Sequence, residues 1–508
     1  MQLDACDILC IALDCDGSKT HGFRKYHRKQ LLRPPAERNI KLMSEPRRPW
    51  SPAKQADAPQ INREPHEVPL EVPFSQALWF WLKLGFISFG GPAGQIAIMH
   101  TELVERRRWI SEQRFLHALN YCMLLPGPEA QQLASYLGWL MHRTWGGVLA
   151  GTLFVLPSLV LIIALSWIYL RFGELSLVAG IFYGLKPAVT VLVIQATYRI
   201  GKRALRNRWM WCLAATSFVA IFAFEIAFPV IVLAAGLFGL FASKHLPDLF
   251  TSKPPHAVAN QMEARAIIDD DTPTPEHARF KRSKLLKVLL VGIGLWAAAM
   301  ACLVATLGAQ ATLTQMAWFF TKAALLTFGG AYAVLPYVHQ GAVETHQWLS
   351  ATQMIDGLAL GETTPGPLIM VVAFVAFLGG WFKAVLGPDA LFLGGALAAC
   401  IVTFFTFLPS FIFILAGGPI IESTKGRLGF TAPLSAITAA VVGVILNLAM
   451  FFAHHVIWPK GFSGSIDFIA FCIGLMMALL ILLTRMGPIA LLAMSACLGL
   501  AAKFLQMT

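Results

Sequence analysis

The stretch LNYCMLLPGPEAQQLA (Leu119–Ala134) interrupts a long apolar segment with Pro-Gly-Pro and sets a glutamate directly after it. LALGETTPGPLIMVVA (Leu358–Ala373) does nearly the same 239 residues later, with its glutamate three residues before the break. Proline lacks an N–H and disrupts the preceding helical turn, and glycine frees the backbone further. Inside lipid, every backbone polar group needs a partner within the protein. Such a break therefore survives at membrane depth only where it faces protein or a water-filled cavity.

The surroundings are those of a membrane protein. The 508 residues are 56% hydrophobic and only 13% charged, about half the charge of a soluble domain, and the mean hydropathy is +0.63. Apolar segments lie at roughly 77–104, 115–142, 146–170, 178–198, 209–224 and 226–243, and again at 285–307, 315–340, 353–381, 389–418, 431–455, 465–484 and 487–506. Many reach the ~20 residues that cross a bilayer, and strand alternation is absent, so the expected class is an all-α polytopic membrane protein. Domain boundaries follow: a polar tail over 1–73, a first unit over 74–243, a polar linker over 244–284 with DDDTPTPEH near its centre, and a second unit over 285–508. Residues 1–42 lack a clear period, and MSEPRRPW makes Met43 a candidate start.

The net charge of +12 resides in loops between apolar runs. That is the pattern of topology determinants rather than of nucleic-acid binding. Nine cysteines form no CxxC pair; those in apolar segments (Cys122, Cys212, Cys302, Cys400, Cys472 and Cys497) read as small core residues. No metal spacing, P-loop, HEXXH or GxSxG signature is present, so neither a cofactor nor enzymatic activity is expected.

The two units are copies. A shift of 239 places Lys83 on Lys322, Phe89-Gly90-Gly91 on Phe328-Gly329-Gly330, Trp109 on Trp348, Ser111 on Ser350, and Pro126-Gly127-Pro128 on Pro365-Gly366-Pro367. A later shift of 252 places Leu156-Pro157-Ser158 on Leu408-Pro409-Ser410 and Gln195 on Asn447. The charges of equivalent loops differ. ERRRW (Glu105–Trp109) corresponds to ETHQW (Glu344–Trp348), and RIGKRALRNR (Arg199–Arg208) to a loop holding only Lys460, while Lys425 and Arg427 mark a different loop of the second copy. By the positive-inside bias the copies face opposite ways, as inverted repeats of secondary transporters do. Both ERRRW and Arg199–Arg208 can be cytoplasmic only if the segment at 115–142 dips in and returns. The FGGP and PGP segments are therefore expected to be re-entrant or paired half-helices, with tail and linker cytoplasmic.

Broken helices present free N–H groups and a positive dipole end, which attract anions. The candidate anion site comprises Gly90, Gly91, Pro92, Gln95, Asn120, Pro126, Gly127, Pro128 and Gln131 from the first copy, and Gly329, Gly330, Pro365, Gly366 and Pro367 from the second. Lys83 and Lys322 are candidate cationic walls, against the alternative that they snorkel to the interface. Glu129 and Glu362 are candidates for proton coupling, because burial disfavours the charged carboxylate; the alternative is that they offset helix dipoles. Gln132, like the other amides, can either bind an oxyanion or cap loose backbone. Arg106–Arg108 and Arg199–Arg208 read as topology determinants, and the histidines as structural.

The run FISFGGPAGQIAIMHTELVERRRWISEQRFLHALNYCMLLPGPEAQQLASYLGW (Phe86–Trp139) resembles the N-terminal signature of the chromate ion transporter family, and LLTFGGAYAVLPYV with WLSATQMIDGLALGETTPGP resembles its C-terminal counterpart. The resemblance runs from Phe74 to about Met507, the two-domain form. It implies a multi-pass protein of the bacterial inner membrane that exports chromate, driven by membrane potential or a proton gradient, and confers chromate resistance. The family motif falls on Phe89, Gly90, Gly91, Pro92, Gly94, Gln95, Pro126, Gly127, Pro128, Glu129 and Gln131, and on Phe328, Gly329, Gly330, Pro365, Gly366 and Pro367. Ala331 stands where Pro92 does and Leu368 where Glu129 does, so the first copy is expected to contribute more to the site. Sulfate, another tetrahedral dianion, is the alternative substrate. A membrane enzyme or flippase for anionic headgroups, or a sensor, is the alternative class. The expected surroundings are the lipid bilayer, with a homodimer as the candidate assembly.

Overall fold

The computed structural model describes residues 72–245, 266–269, 272–273, 275–424, 431–459, 461, 464–484 and 486–507. The tail with its candidate start at Met43, most of the central linker, and Lys425, Arg427 and Lys460 lie outside the described residues. Among the described residues there is no strand, only an isolated bridge between Ile110 and Ile268. Among these residues seven helices are long and apolar enough to cross a membrane. The chain is an all-α polytopic membrane protein.

The first half runs α1 (Phe74–Ile87), α2 (Gly91–His100), α3 (Glu112–Cys122), α4 (Glu129–Phe172), α5 (Ser176–Ala204), α6 (Arg208–Phe224) and α7 (Phe228–His245). A long, mostly outward-facing helix α8 (Arg282–Leu307) follows. The second half then runs α9 (Thr312–Leu326), α10 (Ala331–His339), α11 (Ala351–Thr363), α12 (Val371–Phe382), α13 (Leu391–Thr424), α14 (Thr431–Ile457), α15 (Phe468–Leu483) and α16 (Pro488–Met507). After α8 the order matches that of the first half, except that the single element α4 corresponds to α12 and α13 together. The difference is small, because α4 bends sharply at His142 and Arg143, where the helical dihedrals are lost.

The residues that keep the repeat register have structural work in both halves. Ser111 and Ser350 are the N-caps of α3 and α11; each hydroxyl accepts the N–H three residues on, at 3.3 and 3.2 Å. Such caps satisfy amides that the first helical turn leaves open. A π-helical turn follows α2 (Thr101–Arg106) and α10 (Gln340–Thr345). Arg108 and Gln347 then take left-handed φ values of 51° and 49°, which turns Trp109 back onto Phe80 and Trp348 back onto Phe319. The FGG-broken segment thus returns to the end where it began, in each half.

The PGP segments also fold back. α3 has 11 residues, about 16 Å at 1.5 Å per residue, too short to cross ~30 Å of hydrocarbon. Tyr121 of α3 packs edge-on against Tyr136 of α4 at 5.8 Å. Arg114, in the first turn of α3, and Tyr136 both reach the Glu422 carboxylate, at 3.6 and 2.6 Å. Thr272 accepts from Arg114, while His277, five residues on, meets the Trp139 carbonyl. Both ends of this hairpin therefore lie at one end of the bundle. In the second half, Gly379 at the close of α12 lies against Trp348, just before α11.

The halves interlock. α5 packs against α15 and α16 of the second half, while α14, its counterpart, packs against α6 and α7 of the first. Small residues permit the close approach: Gly184 of α5 abuts Gly499 of α16, and the buried Ser495 hydroxyl donates to the Gly184 carbonyl at 2.6 Å. Of the cysteines expected in the core only Cys122 is buried. Cys212, Cys302, Cys400, Cys472 and Cys497 are exposed on the helices, facing outward, where lipid rather than protein surrounds a spanning bundle.

Gly184→Leu is expected to separate α5 from α16 and remove the folded species from detergent size-exclusion profiles. Ser495→Ala, which loses one interhelical hydrogen bond worth ~0.6 kcal/mol, is expected to leave the profile intact and lower the unfolding midpoint only slightly.

Candidate functional site

The four breaks meet. The Gly127 N–H, in the first PGP, donates to the Thr327 carbonyl at the second FGG break, at 2.8 Å. The Gly366 N–H, in the second PGP, donates to the Ser88 carbonyl at the first FGG break, also at 2.8 Å. Ser88 and Thr327 are equivalent under the 239-residue shift, as are Gly127 and Gly366. Each half thus closes the open backbone of the other by the same bond, run in the reciprocal direction.

The Leu-Pro-Ser pair completes this exchange. Ser158 of α4 lies against Gly366, and Ser410 of α13 lies against Gly127. Glycine is required at both positions. Their φ values are 125° at Gly127 and 104° at Gly366. A Cβ at Gly366 would stand 2.6 Å from the Ser158 Cβ, and one at Gly127 would stand 2.6 Å from the Gln132 Nε2. Pro128 and Pro367 then open the following helical turns at positions where no N–H is needed.

Amide side chains tie the crossing. Gln95 of α2 donates to the Gly366 carbonyl at 2.5 Å. Gln132 donates to the Pro126 carbonyl at 2.7 Å and reaches Ser410 Oγ at 3.4 Å, and Gln131 donates to Ser135 at 3.0 Å. Ser88, Gln95, Gln131, Gln132 and Ser158 are all at most 1% exposed. Yet among the described residues Ser88 Oγ, Ser158 Oγ and the three amide oxygens have no hydrogen-bond partner. Unpaired buried polar atoms cost roughly 1–3 kcal/mol each. Their concentration at one crossing marks a place built for a polar occupant.

Two carboxylates flank the crossing. Glu129 Oε1 lies 3.8 Å from where a Cβ on Gly330 would be, so it faces the second FGG break. Glu362 is buried and accepts from the Tyr332 hydroxyl. The cations nearest in effect are on α5: the field of Arg203 acts on Glu129, and that of Arg199 on Glu362 and Tyr332. Four residues apart, the two guanidinium groups share one helix face, and neither takes part in an ion pair among the described residues. Both side chains are exposed, so the basic run Arg199–Arg208, expected to fix topology, acts on the crossing carboxylates through its charge and not by contact.

Other candidates lie elsewhere. Lys83 and Lys322 are exposed. Lys322 Nζ sits 5.8 Å over the ring of Trp318, which is itself half exposed, the arrangement of a snorkelling lysine. Asn120 is exposed on α3 and makes none of the contacts at the crossing. Gly90, Gly91, Gly329 and Gly330 provide the positive φ values of the FGG breaks. Pro92 begins α2 at its first turn, and Pro126 and Pro365 open the PGP turns.

One buried group was missed by reading the sequence. Asp356 of α11 is 2% exposed, accepts from Tyr169 of α4 at 2.8 Å, and pairs with Lys186 of α5 at 3.5 Å. A lone aspartate within an apolar segment is itself the signal that finds it. The pairing binds the second PGP hairpin to the far end of α4, much as Arg114–Glu422–Tyr136 binds the first PGP hairpin to the far end of α13.

The chromate transporter family profile matches residues 75–240 and 314–500, the two halves. The chain belongs to the chromate transporter family. It is 32% identical to a chromate transport protein of Pseudomonas aeruginosa over 80% of this chain and 87% of that one. It is 30% identical to a chromate transport protein of Cupriavidus metallidurans over 75% and 82% respectively. An uncharacterised transporter of Bacillus subtilis, YwrA, matches over 88% of its own length but only 30% of this chain, at 28% identity, so a relative exists that is little longer than one repeat. No solved structure matches.

Gly127→Ala and Gly366→Ala are each expected to destabilise the purified protein by more than the ~1–2 kcal/mol of a left-handed alanine, because the added methyl also collides; a fall in the thermal midpoint checks this. Asp356→Asn is expected to cost less than the ~3–5 kcal/mol of breaking a fully buried pair, since the Lys186 side chain is 25% exposed. Asp356→Asn combined with Lys186→Met should recover part of the loss.

Proposed function

We propose that this chain is a secondary active transporter that exports chromate from the bacterial cytoplasm, driven by the membrane potential or a proton gradient, and so confers chromate resistance. The observation that carries the reading is the crossing itself: reciprocal backbone bonds between the halves, with the buried Ser88 and Ser158 hydroxyls beside them unpaired among the described residues. Chromate is a tetrahedral dianion with four acceptor oxygens. The Ser88 and Ser158 hydroxyls, the Gln131 amide and the free N–H groups of the helices that begin at Gly91, Glu129 and Ala331 are donors for those oxygens. Arg199 and Arg203 supply compensating charge. Glu129 and Glu362 are the groups that exchange a proton against the anion.

The unpaired hydroxyls at the crossing, Ser88 and Ser158, belong to first-half residues, which supports the expectation that the first copy contributes more. Alternation follows from an inverted arrangement. A single crossing by α8 between two halves of equal order sets the second half opposite to the first, and rocking one half against the other opens the crossing to each side in turn. The Asp356–Lys186 and Arg114–Glu422 pairs, which bind the two hairpins to the opposite halves, are the contacts such rocking would break and remake.

Everted membrane vesicles should accumulate chromate when energised, lose that accumulation with an uncoupler, and slow in excess sulfate to the extent that the site admits both dianions. Pro128→Ala and Gln131→Ala should abolish uptake while membrane insertion is retained, and Arg203→Gln should lower it at least tenfold. Lys83→Gln and Lys322→Gln should stay within twofold of the wild type. Absence of chromate uptake, with sulfate accumulating instead in right-side-out vesicles, would replace chromate export with sulfate import.

A further inference from the structure

The end of the linker and the elbow of α4 border a second basic site, apart from the FGG and PGP breaks. A cavity of about 240 Å³ is lined by Arg143, Glu276, His277, Arg279, Lys281 and Lys284. Four cations there face one carboxylate, and none of these side chains is in an ion pair among the described residues. Lys284 Nζ donates only to the Glu276 backbone carbonyl, at 3.2 Å. His277 is fixed by the Trp139 carbonyl at 2.9 Å and by edge contact with the Trp139 ring. Burial above all, and then the Arg143 and Lys284 charges, lower its pKa, against the hydrogen bond to Trp139. The surplus charge of the cavity is thus felt by its own lining.

Two backbone features aim cationic groups at this place. Arg143 is held at φ 57° and ψ −157°, a conformation that costs an L-residue energy and persists only where the surroundings impose it. The first turn of α8, which provides Lys281 and Lys284, has neither a side-chain cap nor an acidic residue to satisfy its N–H groups. Within two residues of the lining in sequence, Trp145, Phe280 and Leu286 are 73%, 40% and 58% exposed. Basic side chains interspersed with exposed aromatic and aliphatic ones are the chemistry of a bilayer interface.

We propose that this cavity binds the phosphate of an anionic phospholipid headgroup, with the acyl chains lying along Trp145 and the outer face of α8. The ligand chemistry is a phosphate group; the exposed apolar side chains interspersed with the lining residues in sequence favour the lipid over the free ion. Occupation would join the elbow of the first PGP hairpin to the start of the second half, at the point where the linker reaches the bundle. The inference is independent of which anion the central crossing carries.

The test uses the full-length purified chain, delipidated in detergent and titrated with phosphatidylglycerol, with phosphatidylcholine of the same acyl chains, or with inorganic phosphate. Native mass spectrometry counts retained lipid and thermal unfolding follows stabilisation. Phosphatidylglycerol should bind preferentially, and Arg279→Gln and Lys281→Gln should each weaken it roughly fivefold, as expected for one basic contact at a membrane surface. Lys287→Gln, outside the cavity, should leave it unchanged. The single variants retain the α8 helix, so a loss of binding with an unchanged midpoint in lipid-free detergent separates the site from misfolding. Equal retention of the two lipids, equal stabilisation by inorganic phosphate alone, or wild-type binding by both cavity variants would overturn the proposal.

Discussion

A backbone amide that has lost its helix cannot be left open inside lipid, and this fold answers that constraint by making each half complete the other. Gly127 donates to Thr327 and Gly366 to Ser88, so four interrupted helices share two bonds. Neither half can satisfy its breaks alone. The glycine at each donor position lets a serine of the opposite half come close, and the proline after it opens the next helix without an unpaired N–H. Everything else at the centre depends on this exchange: the placement of Gln95, Gln131 and Gln132, the burial of Ser88 and Ser158, and the approach of Glu129 to Gly330.

The same exchange recurs at larger scale. α5 rests on the last helices of the second half and α14 on the last helices of the first, so the halves are interlocked rather than set side by side. The hairpins at the two PGP motifs are each held by a charged contact to a long helix of the opposite half, Asp356 with Lys186 and Tyr169, and Glu422 with Arg114 and Tyr136.

Much of this was legible in the sequence because breaking residues are few and their spacing is rigid. The gap-free register from Lys83 to Pro128 predicted paired broken segments, and the Trp and Ser that keep the register are the ring that packs back on the first helix of each half and the N-cap that starts each hairpin. The FGG, PGP, Gln95 and Gln131 candidates came together. Lys83, Lys322 and Asn120 did not, because a one-dimensional register says which positions are equivalent but not which side of a helix faces inward. Arg199 and Arg203 were masked for a related reason: a basic run at a helix end serves topology whether or not the charge of two of its members is also felt by Glu129 and Glu362. Asp356 was overlooked although a single carboxylate in an apolar segment is conspicuous; its partners, Lys186 and Tyr169, are distant in sequence and only the fold brings them to it. The cysteines erred in the opposite direction, since in a membrane protein an apolar segment has an outward face as apolar as its core.

The most direct test of the central claim is the affinity of the purified protein for chromate, measured by equilibrium binding in detergent for the wild type, Ser88→Ala and Ser158→Ala. If the crossing is the anion site, each serine variant keeps its fold and loses at least tenfold in affinity, the order expected when a hydrogen-bond donor to a charged group is removed. Wild-type affinity in both variants, with the fold intact, would place the anion elsewhere and leave the crossing as architecture alone.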